Sequence, residues 1–419
     1  MCIRDRILAG HDISAGGLIT TLLEMCFANT EGGMEINLDK IKCDDIVKIL
    51  FAENPGVVIQ VADKHKAEVK KILEDAGVGY VKIGVPTEER HILATLHDAT
   101  YQFGIDYLRD VWYSTSYLLD RKQSMNGCAK KRFENYKQQP LEFVFDKSFT
   151  GKLSQFGLDP NRRTPSGIKA AIIREKGTNG EREMAYMLYL AGFDVKDVTM
   201  TDLISGRETL EDINMVVYCG GFSNSDVLGS AKGWAGSFLF NPKAKAALDN
   251  FYAREDTLSL GVCNGCQLMM ELGLITPEDK KKGKMLHNDS HKFESNFLGV
   301  TVPMNRSVMF GSLSGSKLGI WVAHGEGKFS LPYPEDHYNV VLKYSYDEYP
   351  GNPNGSDYSV AGIASQDGRH LAMMPHLERA CFPWENAYYP LDRKEEDQIT
   401  PWMEAFVNAR KWVEANRKK

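Results

Sequence analysis

The sequence predicts an α/β protein with a doubly wound, mostly parallel sheet, preceded by a smaller α+β segment. From about residue 167, short apolar runs alternate with segments of helical periodicity, which is typical of buried parallel strands joined by helices. Ahead of them, a glycine-rich loop and two β-rich runs follow a different pattern. The chain has 419 residues, enough for two or three domains rather than one.

The composition is that of an ordinary globular protein. With 43% hydrophobic and 25% charged residues, long disordered regions are not expected. A formal net charge of -6 gives no electrostatic reason to expect nucleic acid. The eight cysteines lie mostly in apolar segments, no apolar stretch reaches about 18 residues, and no signal peptide is evident. We therefore expect reduced thiols, a cytoplasmic location, and neither a membrane nor a nucleic-acid partner.

The first segment, about residues 1–100, is predicted to be an α+β unit. A glycine-rich loop from His11 to Gly17 leads into apolar residues with helical spacing, and Lys64 to Glu74 has helical periodicity as well. The β-rich runs Gly56–Val61 and Tyr80–Val85 flank that second helical segment. Strands and helices of this kind form one small layered unit.

Two polar side chains in the glycine-rich loop have the chemistry of a ligand site. The carboxylate of Asp12 suits Mg²⁺, and the hydroxyl of Ser14, beside exposed N–H groups, suits a phosphate. The same residue types also make plain turns, so the motif alone leaves both readings open. The opening, Met1 to Arg6, resembles a spurious start on a truncated gene fragment, and we expect that a larger protein has lost its front.

Residues 101–166 are aromatic and polar, with Trp112, Tyr113 and Tyr117 at the front and prolines, including Pro140, further on. This pattern predicts helices and a connecting loop rather than an independent domain.

The main domain is predicted over residues 167–419. Because ligands in open α/β sheets bind beyond the carboxyl ends of the strands, polar residues that follow these strands are the candidates for a site. The strands are predicted at Ile168–Ile173, Met215–Cys219, Leu258–Val262, Gly319–Ala323 and Leu371–Met374, and helices such as Glu181–Gly192 and Gly265–Gly273 alternate with the first three.

Cys263 directly follows one of these strands and opens a helix. Gly261 and Gly265, two residues to either side, permit the sharp strand-to-helix turn that exposes a nucleophile above a sheet. The helix N-terminus favours the thiolate form of a cysteine. A small buried cysteine beside ordinary turn glycines is the plain alternative. Cys266 completes a C-x-x-C pair, but a structural zinc site needs about four ligands and there is no second such pair.

Two His-x-Glu pairs could supply a general base. His376 and Glu378 follow the strand Leu371–Met374, and His324 and Glu326 follow Gly319–Ala323. In extended backbone, residues two apart point the same way, so the carboxylate can orient the imidazole for proton transfer. Each pair alone is also typical of a satisfied surface pair.

Two further segments are polar or rich in glycine. Gly220 and Gly221 end the strand Met215–Cys219, and paired glycines either turn backbone N–H groups towards an oxyanion or make a tight turn. The run from His287 to His291 has metal-like spacing, yet its residues are poor helix formers, so we predict a polar loop or strand edge.

Together these motifs resemble those of a known family. The segments 220–223 with 226–229, 261–267, 322–327 and 374–379 resemble the class I glutaminase domain of the phosphoribosylformylglycinamidine synthases. At the front, residues 11–18 and 50–61 look like the C-terminal part of the second synthetase half of that family. The resemblance covers nearly the whole chain and keeps the family's order of motifs.

The resemblance implies a class I glutaminase fold, which is flavodoxin-like, behind a partial ATP-binding-type synthetase domain. Cys263 would attack the glutamine carboxamide and form a thioester, with His376 as the base and Glu378 orienting it. Asp12 would bind Mg²⁺ and Ser14 would contact ATP. The remaining site residues would hold the oxyanion or bind and enclose glutamine, and they are Gly221, Phe222, Asn264, Gln267 and His324.

The implied reaction belongs to purine biosynthesis. The family uses glutamine and ATP to convert formylglycinamide ribonucleotide to the amidine, and this chain would be competent at most for glutamine hydrolysis. Asn224 and Ser225 stand where Tyr-Gly is commoner in the family, and Leu377 stands where Pro is commoner. A cysteine peptidase or related hydrolase on the same type of fold is the alternative, but it does not account for the synthetase-like front. A non-catalytic regulatory module is also disfavoured, because nucleophile and base are both present.

Overall fold

The computed structural model describes residues 6–138 and 141–417, and the chain divides into two compact units, Met1–Asp120 and Arg121–Lys419. Residues 1–5 of the predicted spurious start, and Pro140 of the predicted connecting loop, lie outside the described residues. The predicted connector is shared between the units, since its first helix ends the first unit and residues 121–166 belong to the second.

The first unit contains two small sheets with helices. β1 and β3 form an antiparallel pair, and a four-stranded sheet has the order β4-β2-β5-β6. The elements are β1 Ile7–Ile13, α1 Gly17–Phe27, β2 Gly33–Asn37, α2 Ile46–Phe51, β3 Gly56–Val61, α3 Lys66–Asp75, β4 Gly84–Thr87, β5 His91–Leu96, β6 Ala99–Gly104 and α4 Ile105–Asp120.

Helix α1 confirms the amphipathic pattern of the sequence, because Leu18, Leu22, Leu23 and Cys26 are all buried. The predicted strand Tyr80–Val85 is mostly wrong. Residues 80–83 are irregular and largely exposed, and the strand begins only at Gly84. A short apolar run without a partner strand to cover it does not form a ladder, so β-propensity alone misplaced it.

The second unit is an α/β domain around one large hydrophobic core. Its elements are α5 Cys128–Asn135, β7 Lys169–Arg174, α6 Glu181–Ala191, β8 Asp194–Thr199, α7 Met200–Ser205, β9 Met215–Tyr218, α8 Lys232–Leu239, α9 Pro242–Ala253, β10 Leu258–Val262, α10 Asn264–Glu271, β11 Lys284–Leu286, β12 Glu294–Thr301, β13 Lys317–His324, β14 Lys328–Ser330, β15 Asn339–Tyr344, β16 Val360–Ala364, β17 His370–Met373, α11 Leu391–Lys394 and α12 Trp402–Asn416.

The main sheet has nine strands in the order β13-β12-β15-β16-β17-β10-β9-β7-β8. From β17 to β8 neighbouring strands are parallel, as the alternation of strands and helices predicts, and from β16 to β13 they are antiparallel. The five predicted strands are all present, within two residues of the predicted bounds. The antiparallel strands β12, β15 and β16 extend the predicted sheet.

Register places the chemistry at one edge. Gly261 of β10 pairs with Tyr218 of β9, and Val262 pairs with Met373 of β17, so the three parallel strands end side by side. The loops that follow these strands therefore converge. Across the described parts of the chain, the seven cysteines are free thiols, and none of the helices is long and apolar enough to span a membrane.

Candidate active site

Cys263 occupies a sharp turn between β10 and α10. Its φ of 54° and ψ of -107° are values that residues with a side chain rarely adopt. A Cβ on Gly261 would lie 2.5 Å from the carbonyl oxygen of Gly265, and a Cβ on Gly265 would lie 2.0 Å from that of Tyr218. Only glycine fits at both positions, so the sequence around Cys263 is that of a nucleophile elbow, with the thiol at the N-terminus of α10.

Cys266 lies one turn further along α10 and is fully buried. Burial, together with the neighbouring Cys263, raises the pKa of the Cys266 thiol well above its usual value. A thiol held in this form is a poor nucleophile. Of the two cysteines in the C-x-x-C pair, only Cys263 has the backbone geometry of a reactive group.

The parallel register brings His376 to Cys263. The Cys263 N–H donates to the carbonyl of Met373, the last residue of β17, at 2.9 Å. Three residues later the His376 side chain lies close enough to Cys263 for that side chain to help raise the pKa of the imidazole, while Nδ1 of His376 lies 2.7 Å from Oε1 of Glu378. Because Nδ1 is engaged by the carboxylate, Nε2 is the ring nitrogen left for the thiol.

Burial makes this arrangement electrostatically strong. Cys263, His376 and Glu378 are 4%, 2% and 1% exposed. Burial alone lowers the pKa of His376, but the Glu378 carboxylate and, after it, the Cys263 side chain outweigh burial and raise that pKa to about 10. The three groups therefore form a chain in which the imidazolium is stabilised.

A second histidine lies at the same place. The backbone N–H of His376 donates to the carbonyl of Trp321 at 2.9 Å. The Cys263 sulfur is 3.5 Å from the carbonyl oxygen of Ala323, so the end of β13 lies against the site. His324, the last residue of β13, is 2% exposed. Burial and the nearby His376 lower the pKa of His324 to about 3, so this ring is neutral.

Asn288 fixes the orientation of His324. Its Nδ2 donates to the carbonyls of His324 at 2.7 Å and Lys292 at 3.0 Å, and its Oδ1 accepts the Gly327 N–H at 3.0 Å. That Oδ1 is 3.2 Å from Nδ1 of His324. Asn288 belongs to the run predicted as a polar loop or strand edge, and no local pattern indicates that it is fully buried against a histidine 36 residues away.

The paired glycines leave room for the site. A Cβ on Gly220 would lie 2.9 Å from Cε1 of His376 and 3.4 Å from Cβ of Cys263. Gly221 has a φ of 115°, and its Cβ would lie 2.6 Å from the carbonyl oxygen of Gly177. A side chain at either position would fill the space around the thiol or clash with backbone.

Phe222, predicted to help hold an oxyanion, has its backbone N–H already engaged. The N–H donates to the carbonyl of Gly177 at 2.8 Å. Its side chain is 47% exposed and contacts the ring of Phe293. Phe222 therefore lies beside the paired glycines, and its backbone N–H is bound to the loop that follows β7.

Four residues tie the surrounding loops together. The Ser223 N–H donates to Oδ1 of Asn264 at 3.1 Å, and Nδ2 of Asn264 donates to Oε1 of Gln267 at 2.8 Å. Nε2 of Gln267 in turn donates to the carbonyl of Glu326 at 2.7 Å. The side chains of Asn264, predicted to hold the oxyanion through its N–H, and of Gln267, predicted to bind glutamine, thus brace the loops after β9 and β13 against α10.

Glu326, predicted to orient His324, instead lies near Asp226, because Asn288 holds His324, and this acidic pair was missed as a candidate site. The Ser230 N–H lies 3.4 Å from Oε2 of Glu326, and the Ser230 hydroxyl is 3.4 Å from Oδ2 of Asp226. Burial, followed by the Glu326 carboxylate, raises the pKa of Asp226. Both residues lie inside motifs that carry the family resemblance, which is the signal that could have found them.

The predicted cofactor residues lie in the first unit. The Asp12 side chain is 71% exposed and 3.4 Å from Nδ1 of His11, while the Ser14 carbonyl accepts the Gly17 N–H at 3.0 Å. Within residues 6–138 and 141–417, no group of three or more His, Cys, Asp or Glu side chains is arranged to hold a metal ion. Asp12 therefore offers one carboxylate, and the residues present do not make a complete Mg²⁺ site.

Two family models match the chain. The one described as CobB/CobQ-like glutamine amidotransferase domain matches residues 167–413. The one described as AIR synthase related protein, C-terminal domain, matches residues 1–97.

Curated relatives match over almost the whole chain. Probable phosphoribosylformylglycinamidine synthase, chloroplastic/mitochondrial, of Arabidopsis thaliana is 38% identical over 435 residues, which cover 98% of this chain and 30% of that protein. Phosphoribosylformylglycinamidine synthase of Homo sapiens is 38% identical over 449 residues, covering 98% of this chain and 32% of that protein. The chain thus spans about a third of the length of these relatives. A solved structure described as PurLQS from Thermotoga maritima is 27% identical, with a TM-score of 0.46, and covers 59% of this chain and 99% of that one.

Proposed function

Because the chain belongs to the CobB/CobQ-like glutamine amidotransferase family, we propose that its second unit hydrolyses glutamine to glutamate and ammonia with Cys263 as the nucleophile. The observation that carries this proposal is the buried chain of Cys263, His376 and Glu378 at the ends of β10 and β17. Nucleophilic acyl transfer needs a thiol at a strained turn, an imidazole beside it and a carboxylate behind the imidazole.

In the proposed mechanism, Nε2 of His376 already holds the proton taken from Cys263, and the sulfur, as the thiolate, attacks the carboxamide carbon. The carbon–nitrogen bond then breaks, and the departing nitrogen takes the proton from His376 and leaves as ammonia. Water, activated by the same imidazole, hydrolyses the thioester to glutamate and returns the thiol. Glu378 stabilises the imidazolium in both halves, which its 2.7 Å contact with Nδ1 supports.

The oxyanion of each tetrahedral intermediate is proposed to lie between the backbone N–H groups of Gly221 and Asn264. Asn264 follows the nucleophile at the start of α10, so the helix N-terminus adds its positive end. Phe222 contributes a wall of the pocket, since its N–H is bound to Gly177. Gln267 and His324 are proposed to bind glutamine.

In the whole protein, the ammonia is proposed to enter ATP-dependent amidation of formylglycinamide ribonucleotide. The relatives that match 98% of this chain carry the name of that synthase. The first unit is proposed to be the C-terminal part of the second synthetase domain, with Asp12 toward Mg²⁺ and Ser14 toward ATP. ATP and Mg²⁺ would supply phosphoryl activation of the amide oxygen when bound, in a site that this chain supplies only in part.

The test is release of glutamate and ammonia from glutamine by the purified chain. We expect equal amounts of both products, and a loss of about 10³-fold or more in the Cys263→Ala variant. Cys266→Ala is the matched control, because it removes a buried thiol one turn away and should retain most activity. An electrophilic glutamine analogue should label Cys263 alone.

Release that persists in Cys263→Ala, or equal loss in both variants, would contradict the nucleophile assignment. The alternative, a peptidase or related hydrolase, is tested in the same assay with a peptide library. Cleavage of peptides without attack on free glutamine would favour that alternative.

A further inference from the structure

His324 has one ring nitrogen whose role the proposed triad does not explain. Its Nδ1 is held by Asn288, whereas its Nε2 is buried and lacks a hydrogen-bond partner among the described residues. A buried polar atom without a partner is uncommon in folded proteins and is a sign of a missing ligand. His324 itself is 2% exposed, so bulk water does not satisfy it.

The protonation of this ring follows from Asn288. The two Nδ2 donations to carbonyls fix the amide orientation, so its Oδ1 is an acceptor. The Gly327 N–H also donates to that Oδ1. Nδ1 of His324 must therefore carry the proton that it donates to Oδ1, and in the neutral ring Nε2 is left as an acceptor only.

The position of the acceptor is set by its neighbours. Ala323, the preceding residue, has its carbonyl oxygen 3.5 Å from the Cys263 sulfur. His324 is close enough to His376 for the two rings to interact electrostatically. His324 thus combines an acceptor-only Nε2 with neighbours, Ala323 and His376, that both belong to the surroundings of the Cys263 thiol.

We infer that Nε2 of His324 accepts an N–H of the substrate carboxamide and thereby selects the amide over the acid. The inference rests on the proposed glutaminase function. An N–H held by His324 turns the lone pair of the amide nitrogen towards His376, which must protonate it as the carbon–nitrogen bond breaks. Glutamate has no such N–H, and its carboxylate oxygens would face the lone pair of Nε2, so the product is bound less well than the substrate.

The test compares an amide and an ester that form the same thioester. For His324→Ala, kcat/KM for glutamine should fall about tenfold or more, while kcat/KM for the γ-methyl ester of glutamate should change by less than about threefold. The ester has no N–H for His324 to hold. The control is His370→Ala, which removes another buried histidine of the same sheet, at the opposite end of β17. This control should change kcat/KM for both substrates by the same factor.

Equal losses for the two substrates in His324→Ala would overturn the inference and give His324 a structural role. A second measurement does not depend on the folding of that variant. In Cys263→Ala, the ¹⁵N resonance of His324 Nε2 should move upfield when glutamine is added and stay in place when the γ-methyl ester is added. An unmoved resonance with saturating glutamine overturns the inference. Failure of the proposed function is separate, because it appears as absence of glutamate release by the unsubstituted chain.

Discussion

At the scale of single residues, the site depends on two buried histidines with opposite charge states. His376 and His324 are each 2% exposed, yet the pKa of His376 is raised to about 10 and that of His324 is lowered to about 3. The difference follows from their partners. His376 faces the Glu378 carboxylate, whereas His324 faces the amide of Asn288 and the charge of His376. One ring is suited to hold a proton and the other to accept a hydrogen bond.

Activity should separate the two rings. We expect His376→Ala to abolish thioester turnover, because it removes the group that takes the Cys263 proton and protonates the leaving nitrogen. His324→Ala should mainly weaken glutamine binding. Steady-state kinetics gives the two effects as a fall in kcat and a rise in KM. The reverse pattern would overturn the assignment of the base.

The two histidines should also give opposite dependences of stability on pH. In the unfolded chain both titrate near their usual 6.5. Folded His376 keeps its proton up to a higher pH than the unfolded chain does. Its contribution to the free energy of unfolding is therefore complete below about pH 6.5 and is lost as the pH rises towards 10. Between about pH 6.5 and pH 3, His324 is protonated in the unfolded chain and neutral in the folded chain. The free energy of unfolding therefore falls as the pH drops from about 6.5 towards 3. Each slope is at most about 1.4 kcal/mol per pH unit.

Urea unfolding measured from pH 4 to pH 10 checks both signs. His376→Asn should reduce the decline on the alkaline side only, and His324→Asn should reduce it on the acid side only. Unchanged profiles in both variants would mean that these rings do not have the charge states described above.

At the scale of elements, the loop after β9 has an unusual backbone. Asn224, Ser225 and Asp226 all have φ between 50° and 57°, the left-handed region that favours glycine. Ser225 stands where the resembling family more commonly has glycine. The chain keeps this conformation because Ser223 and Asn224 are tied to Asn264 and Lys176 by backbone N–H donations.

Ser225→Gly should therefore stabilise the second unit by about 1 kcal/mol, since the relief of left-handed strain exceeds the added entropy of an unfolded glycine. Ser237→Gly is the matched control, because Ser237 lies inside helix α8, where glycine should cost about 0.5 kcal/mol. The urea concentration at the midpoint of unfolding, compared at a constant dependence of the free energy on urea, measures both changes. A loss of stability in Ser225→Gly would mean that the serine stabilises the loop by more than its left-handed backbone conformation costs.

At the scale of the whole molecule, the residues that the structure describes form two hydrophobic cores, one in each unit. One includes Leu22 of α1, which is 1% exposed, and the other includes Leu188 of α6, which is fully buried. The candidate active-site residues Cys263 and His376 belong to the unit of the second core. We therefore expect glutamine hydrolysis to depend on the second core.

Truncation of one leucine in each core should show this. Leu22→Ala and Leu188→Ala should each destabilise their own unit by about 3 kcal/mol through the cavity that they leave. Amide hydrogen exchange, followed by mass spectrometry of peptides from each unit, should show faster exchange only in the unit that carries the substitution. Glutamine hydrolysis should be lost at a lower temperature only in Leu188→Ala. Faster exchange in both units from one substitution would contradict two independent cores.

The sequence by itself determined the strands around the candidate site and marked Cys263 as the candidate nucleophile. Strand periodicity placed β10 at Leu258–Val262 without error, and glycines at 261 and 265 marked the turn at Cys263, because these signals are local. The pairing of His376 with Glu378 two residues later is local too. The resemblance then added the motif order over nearly the whole chain.

Tertiary structure alone decided which distant groups meet. Asn288 reaches His324 across 36 residues, and Phe222 gives its N–H to Gly177, because strands far apart in sequence end at one edge of the sheet. Burial decided the rest. The same imidazole is charged beside a carboxylate and neutral beside an amide, and the identity of the residue alone carries no information on that partner.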